Sequence, residues 1–90
     1  MRFEKAQIVR SLRGHDSGKL FCVMDADGDR LLLADGKRRR VSRPKRKNAK
    51  HVVSVGGWEH PTIERLRTGQ TVGDRELRAA LAEIRDQMEV

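Results

Sequence analysis

The feature that most limits what this chain can become is its punctuation. Glycine-bearing turn signals recur about every ten residues through residues 1–57: Gly14 and Gly18 around His15-Asp16-Ser17, then Asp27-Gly28, Asp35-Gly36 and Gly56-Gly57. The apolar runs between them are too short for helices and rich enough in apolar and β-branched residues for strands. Five strands are expected: Gln7–Arg13, Lys19–Asp25, Arg30–Ala34, Lys37–Ser42 and His51–Val55. Asp27-Gly28 is a strong hairpin signal. Pro44 lacks an amide donor and is expected to stop the fourth strand, leaving Lys45–Lys50 as a charged loop. Strands of this length and spacing predict a small all-β barrel. Leu20 to Met24 is apolar on both faces. One face can line a barrel; the other needs a cover.

The pattern changes beyond Gly57. Trp58–Thr62 reads as a linker containing Pro61, and Ile63–Thr68 as a short helix ended by Gly69. From Asp74 onward, Leu77, Leu81, Ile84 and Met88 recur at helical spacing beside Ala80, giving one apolar stripe. Asp74 and Glu76 suit the start of that helix, and either Thr71 or Gly73 can cap it. The stripe is the expected cover for the second strand or for an open barrel end. Trp58 is expected to pack between barrel and helix, because a chain so short of aromatics buries its largest side chain. The expectation is a mainly β chain: a five-stranded barrel with a basic loop over residues 1–57, then a linker and helices over 58–90.

Charge carries the functional reading. The net charge is +7, with 20 Lys and Arg against 13 Asp and Glu. Residues 1–58 are net +9 and residues 59–90 net −2. Lys37 to Lys50, KRRRVSRPKRKNAK, holds nine basic residues and no acid. Most solvated faces mix signs, and like charges crowded together repel, so an unbroken cationic run points to a polyanion, above all nucleic acid. Lys37, Arg38, Arg39, Arg40 and Arg43 lie in or beside the expected fourth strand, where Arg38 and Arg40 share a face if Val41 points inward. Arg38, Arg40 and Arg43 are expected to position RNA through bidentate phosphate pairing. Lys45, Arg46, Lys47 and Lys50 are expected to add attraction independent of sequence. Around the first glycine turn, backbone amides can approach phosphate closely, with Arg13, His15 and Lys19 as further donors. One Trp, two Phe and no Tyr leave nothing from which to build a stacking platform, so structured RNA, read by shape and backbone, fits better than single strands.

Other chemistries find little support. Cys22 is the only cysteine, lies in an apolar run and suits a reducing compartment. His15, His51 and His60 show no zinc spacing. Asp25, Asp27 and Asp29 begin like a calcium loop, but Arg30 stands where that loop needs Gly and Gly36 where it needs Glu. No nucleophile constellation is evident, so no enzymatic activity, metal or cofactor is expected. The first residues have no long apolar core, and no run approaches membrane-spanning length, so a cytoplasmic chain without a membrane partner is expected. The oligomeric state is left open.

A resemblance joins this reading at residues 9–19. The run Val9-Arg10-Ser11-Leu12-Arg13-Gly14-His15-Asp16-Ser17-Gly18-Lys19, followed by apolar residues through Val23, resembles the KOW motif. Gly14, Asp16, Gly18 and Lys19 match its Gly-x-Asp-x-Gly-Lys loop, while His15 and Ser17 stand where Lys is frequent. Leu31 to Val41, LLLADGKRRRV, and the Glu-Leu-Arg-x-Ala-Leu stretch over Glu76 to Leu81 are similar to a narrower group. These are bacterial KOW-domain RNA-binding proteins, themselves similar to the single-KOW large-subunit ribosomal proteins of eukaryotes and archaea. The resemblance implies an SH3-like barrel, RNA binding and a place near ribosomes or ribosomal RNA. The competing expectation is a protein-docking module of transcription or ribosome-assembly machinery, with the helix stripe or Trp58 as its contact surface.

Overall fold

The computed structural model describes residues 3–56 and 58–88. Gly57 of the expected Gly-Gly stop lies outside the described residues, as do Met1, Arg2, Glu89 and Val90. The strands β1 (Ile8–Ser11), β2 (Leu20–Asp27), β3 (Arg30–Ala34), β4 (Lys45–Asn48) and β5 (Val52–Ser54) form one antiparallel sheet of order β4-β3-β2-β1-β5. Two helices follow, α1 (Pro61–Arg67) and α2 (Asp74–Met88). Helix and strand take comparable shares, so the chain is mixed α and β rather than mainly β. The β2–β3 hairpin closes where expected: Asp27 pairs with Arg30 around Gly28-Asp29, and Gly28, at the first loop position, has φ 60°.

The fourth strand is displaced from its expected place. Lys37–Ser42 is turn and bend, and the expected loop supplies both β4 and a 3-10 turn, Ala49–His51, that leads directly into β5. Pro44 precedes the strand instead of ending it. The cause is Asp35, whose Oδ1 accepts the amides of Lys37 and Arg39, both at 2.9 Å, while the amides of Asp35 and Gly36 donate to the Arg39 carbonyl. A side chain that captures nearby amides offers the backbone an alternative to a ladder. The chain extends only once past this turn. There Lys45 stands opposite Leu33 and Lys47 opposite Leu31, so their stems share the face of those leucines.

β2 divides the core into two layers. Phe21 and Val23 meet Phe3, Val9, Leu31, Leu33 and Val52 on one face of the sheet. Leu20 and Cys22 turn to the other face, join Ile8 and Ala34, and are covered by Ile63 and Leu66 of α1 with Leu77, Ala80, Leu81 and Ile84 of α2. The α2 stripe is therefore the cover that the second face required. Each such large side chain taken out of water contributes roughly 1.5–3 kcal/mol. Met24 falls on the helix-facing side by simple alternation, and the bulge between Val23 and Asp25 then shifts the register so that Ala26 stands opposite Leu31 and packs with the other cluster. Burial pushes the Cys22 thiol up to about 12, leaving it an inert packing group. Trp58 packs against the same cluster and donates Nε1–H to the Val55 carbonyl at 3.3 Å.

The helices are pinned at their starts. Gly73, not Thr71, occupies the α2 cap: its carbonyl accepts the Leu77 amide, and its amide donates to Glu76 Oε1 at 3.2 Å. Glu76 also pairs with Arg65, which ties α1 to α2. His60 caps α1 by accepting the Thr62 amide at Nδ1, and its Nε2 meets Glu83 of α2. The connection between β3 and β4 is clamped to α2 in turn. Val41 donates its amide to Asp74 Oδ1 at 2.7 Å. Gly36 is buried at φ 76°, where a Cβ would overlap the Asp74 carbonyl and approach the Arg78 amide nitrogen to 2.9 Å. Only glycine allows the turn to lie so close to the helix. Among the described residues, no helix is long and apolar enough to cross a membrane.

Candidate nucleic-acid interface

The β1–β2 loop and the cationic run lie far apart in sequence and meet at Asp16. Gly14 and Gly18 take φ values of 82° and 85°, and the loop closes as the Gly18 amide donates to the Ser11 carbonyl at 2.7 Å. This geometry turns Asp16 inward. The residue is 3% exposed although its neighbours in the loop are exposed. Lys45 Nζ donates to Asp16 Oδ2 at 2.7 Å, and the guanidinium groups of Arg38 and Arg39 each come within 3.9 Å of the carboxylate. The Lys45 hydrogen bond holds the Asp16 carboxyl below its usual range against the opposing effect of burial, and the three positive charges reinforce it. A single carboxylate facing three cations leaves the junction positive.

A second contact continues this seam. Lys47 Nζ donates to the Arg13 carbonyl at 2.8 Å. Partial burial, then neighbouring Lys45, lowers the affinity of that amine for its proton. His51 at the end of the 3-10 turn is shifted the same way, first by loss of solvent and then by Arg13, Lys50 and Lys47.

The structure sorts the expected RNA-binding residues. Arg13, His15, Lys19, Lys37, Arg38, Arg40, Arg43 and Lys50 are exposed. Arg39, Lys45 and Lys47 are half-buried, with Lys45 and Lys47 held in the internal bonds just described. Arg46, next along β4, projects to the opposite side, where it lines a groove with Asp25, Asp27 and Arg30. Lys37–Ser42 is not extended, so the expected alternation of Arg38 and Arg40 against Arg39 does not describe their directions. Arg40 and Arg43 instead flank a tight turn in which the Arg43 amide donates to the Arg40 carbonyl at 3.0 Å. Arg13, Lys19, Lys37, Arg40, Arg43 and Lys50 make no ion pair with a described residue.

Asp16 is the residue whose structural part the sequence did not disclose. Its position between two glycines marked a turn, but nothing local revealed that the carboxylate reaches a strand 29 positions away. Among the described residues, no three His, Cys, Asp or Glu side chains are grouped to hold a metal ion. No protein-family model matches the chain, and no curated protein matches it.

Proposed function

We propose that this chain is a non-catalytic RNA-binding protein of the KOW kind, which holds structured RNA through phosphate contacts. The observation that carries the reading is the Asp16 junction. It fixes two cationic segments against each other while using one carboxylate, so Arg13, Lys19, Lys37, Arg40 and Arg43 stay exposed on a braced frame. A preorganised set of cations loses less entropy on meeting a polyanion than a mobile tail would. The shortage of aromatics favours shape and backbone recognition over base stacking. Folded ribosomal RNA is the partner that the resemblance implies.

The sheet belongs to the same proposal as a closed SH3-like barrel. The edge strands β4 and β5 are joined by a single 3-10 turn, the long β2 is bent by its bulge, and one apolar cluster lies on a single face of all strands but β4. Closure removes exposed edges, which otherwise invite pairing with other chains.

The test is binding of a folded ribosomal RNA hairpin by a triple charge reversal, Lys37→Glu, Arg40→Glu and Arg43→Glu. All three side chains are exposed, so the fold should persist. Loss of at least a hundredfold in affinity at moderate salt is expected when three phosphate contacts become repulsions. Unchanged affinity would defeat the assignment, and saturable binding to an acidic protein without RNA would favour a docking module.

A further inference from the structure

The acidic balance of residues 59–90 conceals a basic face. Glu64 pairs with Arg67, Glu76 with Arg65 and Glu83 with His60, while Asp74 accepts the Val41 amide. Four of the segment's carboxylates are thus engaged by the chain itself. Arg78 and Arg85 of α2 are exposed and form no ion pair with a described residue. They are seven residues apart, two helical turns, and so stand on one side of the helix.

That side of α2 forms one wall of a groove of about 460 Å³. Arg10 and Lys19 stand on the wall built by the β1–β2 hairpin, and Lys37 and Arg38 on the β3–β4 connection. Six cations from three segments therefore converge on one depression. Its single acid, Asp35, has an oxygen committed to the amides of Lys37 and Arg39. Arg10 is braced by donating to the Gly18 carbonyl at 2.7 Å and keeps further donors for a ligand. Leu20 and Leu81 lie on the floor.

We propose that this groove seats one phosphodiester strand of a folded RNA, with Arg78 and Arg85 gripping two phosphates of that strand. The inference rests on the RNA-binding reading above and extends the interface to a helix that net charge had set aside. Arg78 and Arg85 are about 10 Å apart along the helix axis. That distance exceeds the spacing of neighbouring phosphates, so the two side chains meet separate, non-adjacent phosphates of one strand. A groove with cations contributed by three separate segments suits a continuous chain of single negative charges better than one compact anion.

The test compares three variants of the full chain by fluorescence anisotropy with a folded RNA hairpin between 50 and 200 mM salt. In R78A/R85A the slope of log affinity against log salt should fall by about 1.5 to 2, with roughly tenfold weaker binding at the midpoint. R78K/R85K keeps the charge and should keep the slope. The control K5A/R30A removes the same charge away from the groove and should stay within about threefold of the unaltered protein. R78A/R85A behaving like this control, while the unaltered protein binds RNA, overturns the groove and leaves the RNA reading standing. Failure of the unaltered protein to bind the hairpin overturns that reading itself. Tighter binding of a matched DNA duplex overturns the assignment of RNA as occupant.

Discussion

Replacing Asp16 with Asn separates what holds the interface together from what it binds. The carboxylate is 3% exposed and accepts the Lys45 ammonium at 2.7 Å, with Arg38 and Arg39 just beyond hydrogen-bond distance. Asn keeps the shape and removes the charge, so three cations are left facing one another. Breaking a fully buried ion pair costs about 3–5 kcal/mol. The Lys45 side chain is 25% exposed and can regain some water, so about 2–3 kcal/mol is expected here. In a domain of this size that lowers the melting temperature by roughly 10–20 °C. The folded-state pKa of Asp16 is depressed, so its contribution is complete above the unfolded carboxyl value of about 3.9 and is lost as pH falls through the folded value. Melting curves of the two proteins should therefore stay a constant distance apart from pH 7 to about pH 5 and converge in stronger acid. RNA affinity, measured well below both melting points, should fall severalfold, because the two cationic segments lose the contact that braces them and must be ordered on binding. A melting temperature within 2 °C of the unaltered protein, or a gap that persists in strong acid, would refute the role given to this carboxylate.

Other expectations follow from particular contacts. Gly36→Ala should lower stability by about 2 kcal/mol or more in denaturant unfolding, since the new Cβ meets the Asp74 carbonyl and the residue must keep a left-handed φ. Ile84→Ala removes a side chain 1% exposed beneath α2 and should cost about 2–5 kcal/mol in the same assay. His51 is held below its ordinary pKa in the free protein by lost solvent and neighbouring cations, so a bound polyanion raises it and binding takes up a proton. Affinity should accordingly rise as pH falls from 7 towards 5.5, and His51→Gln should remove that part of the dependence.

Much of the fold is legible in the residues, and the exceptions have definite causes. The double apolar face of β2 and the stripe of α2 each imply the other, because neither can remain wet. The β4 position is not legible from strand pattern because a local side-chain capture and a cross-strand pairing overrode it. Asp35 captured the amides of the segment with the better strand pattern, and Leu31 and Leu33 needed Lys stems opposite them. The cationic run was evident as a run, but its division was not. Whether a given Lys binds a ligand or a loop carbonyl depends on where Asp16 and Arg13 come to rest. Net charge by segment concealed Arg78 and Arg85, because it counts carboxylates that α1 and the connection after β3 have already engaged.

Binding of structured RNA by one braced cationic surface is tested most directly by titrating the labelled chain with a ribosomal RNA hairpin and following backbone amide resonances. Shifts are expected at residues 13–19 and 37–43 and along the exposed side of α2 from Arg78 to Arg85. No shift at stoichiometric RNA, or shifts confined to Trp58 and the exposed Leu12 and Val53, would contradict it.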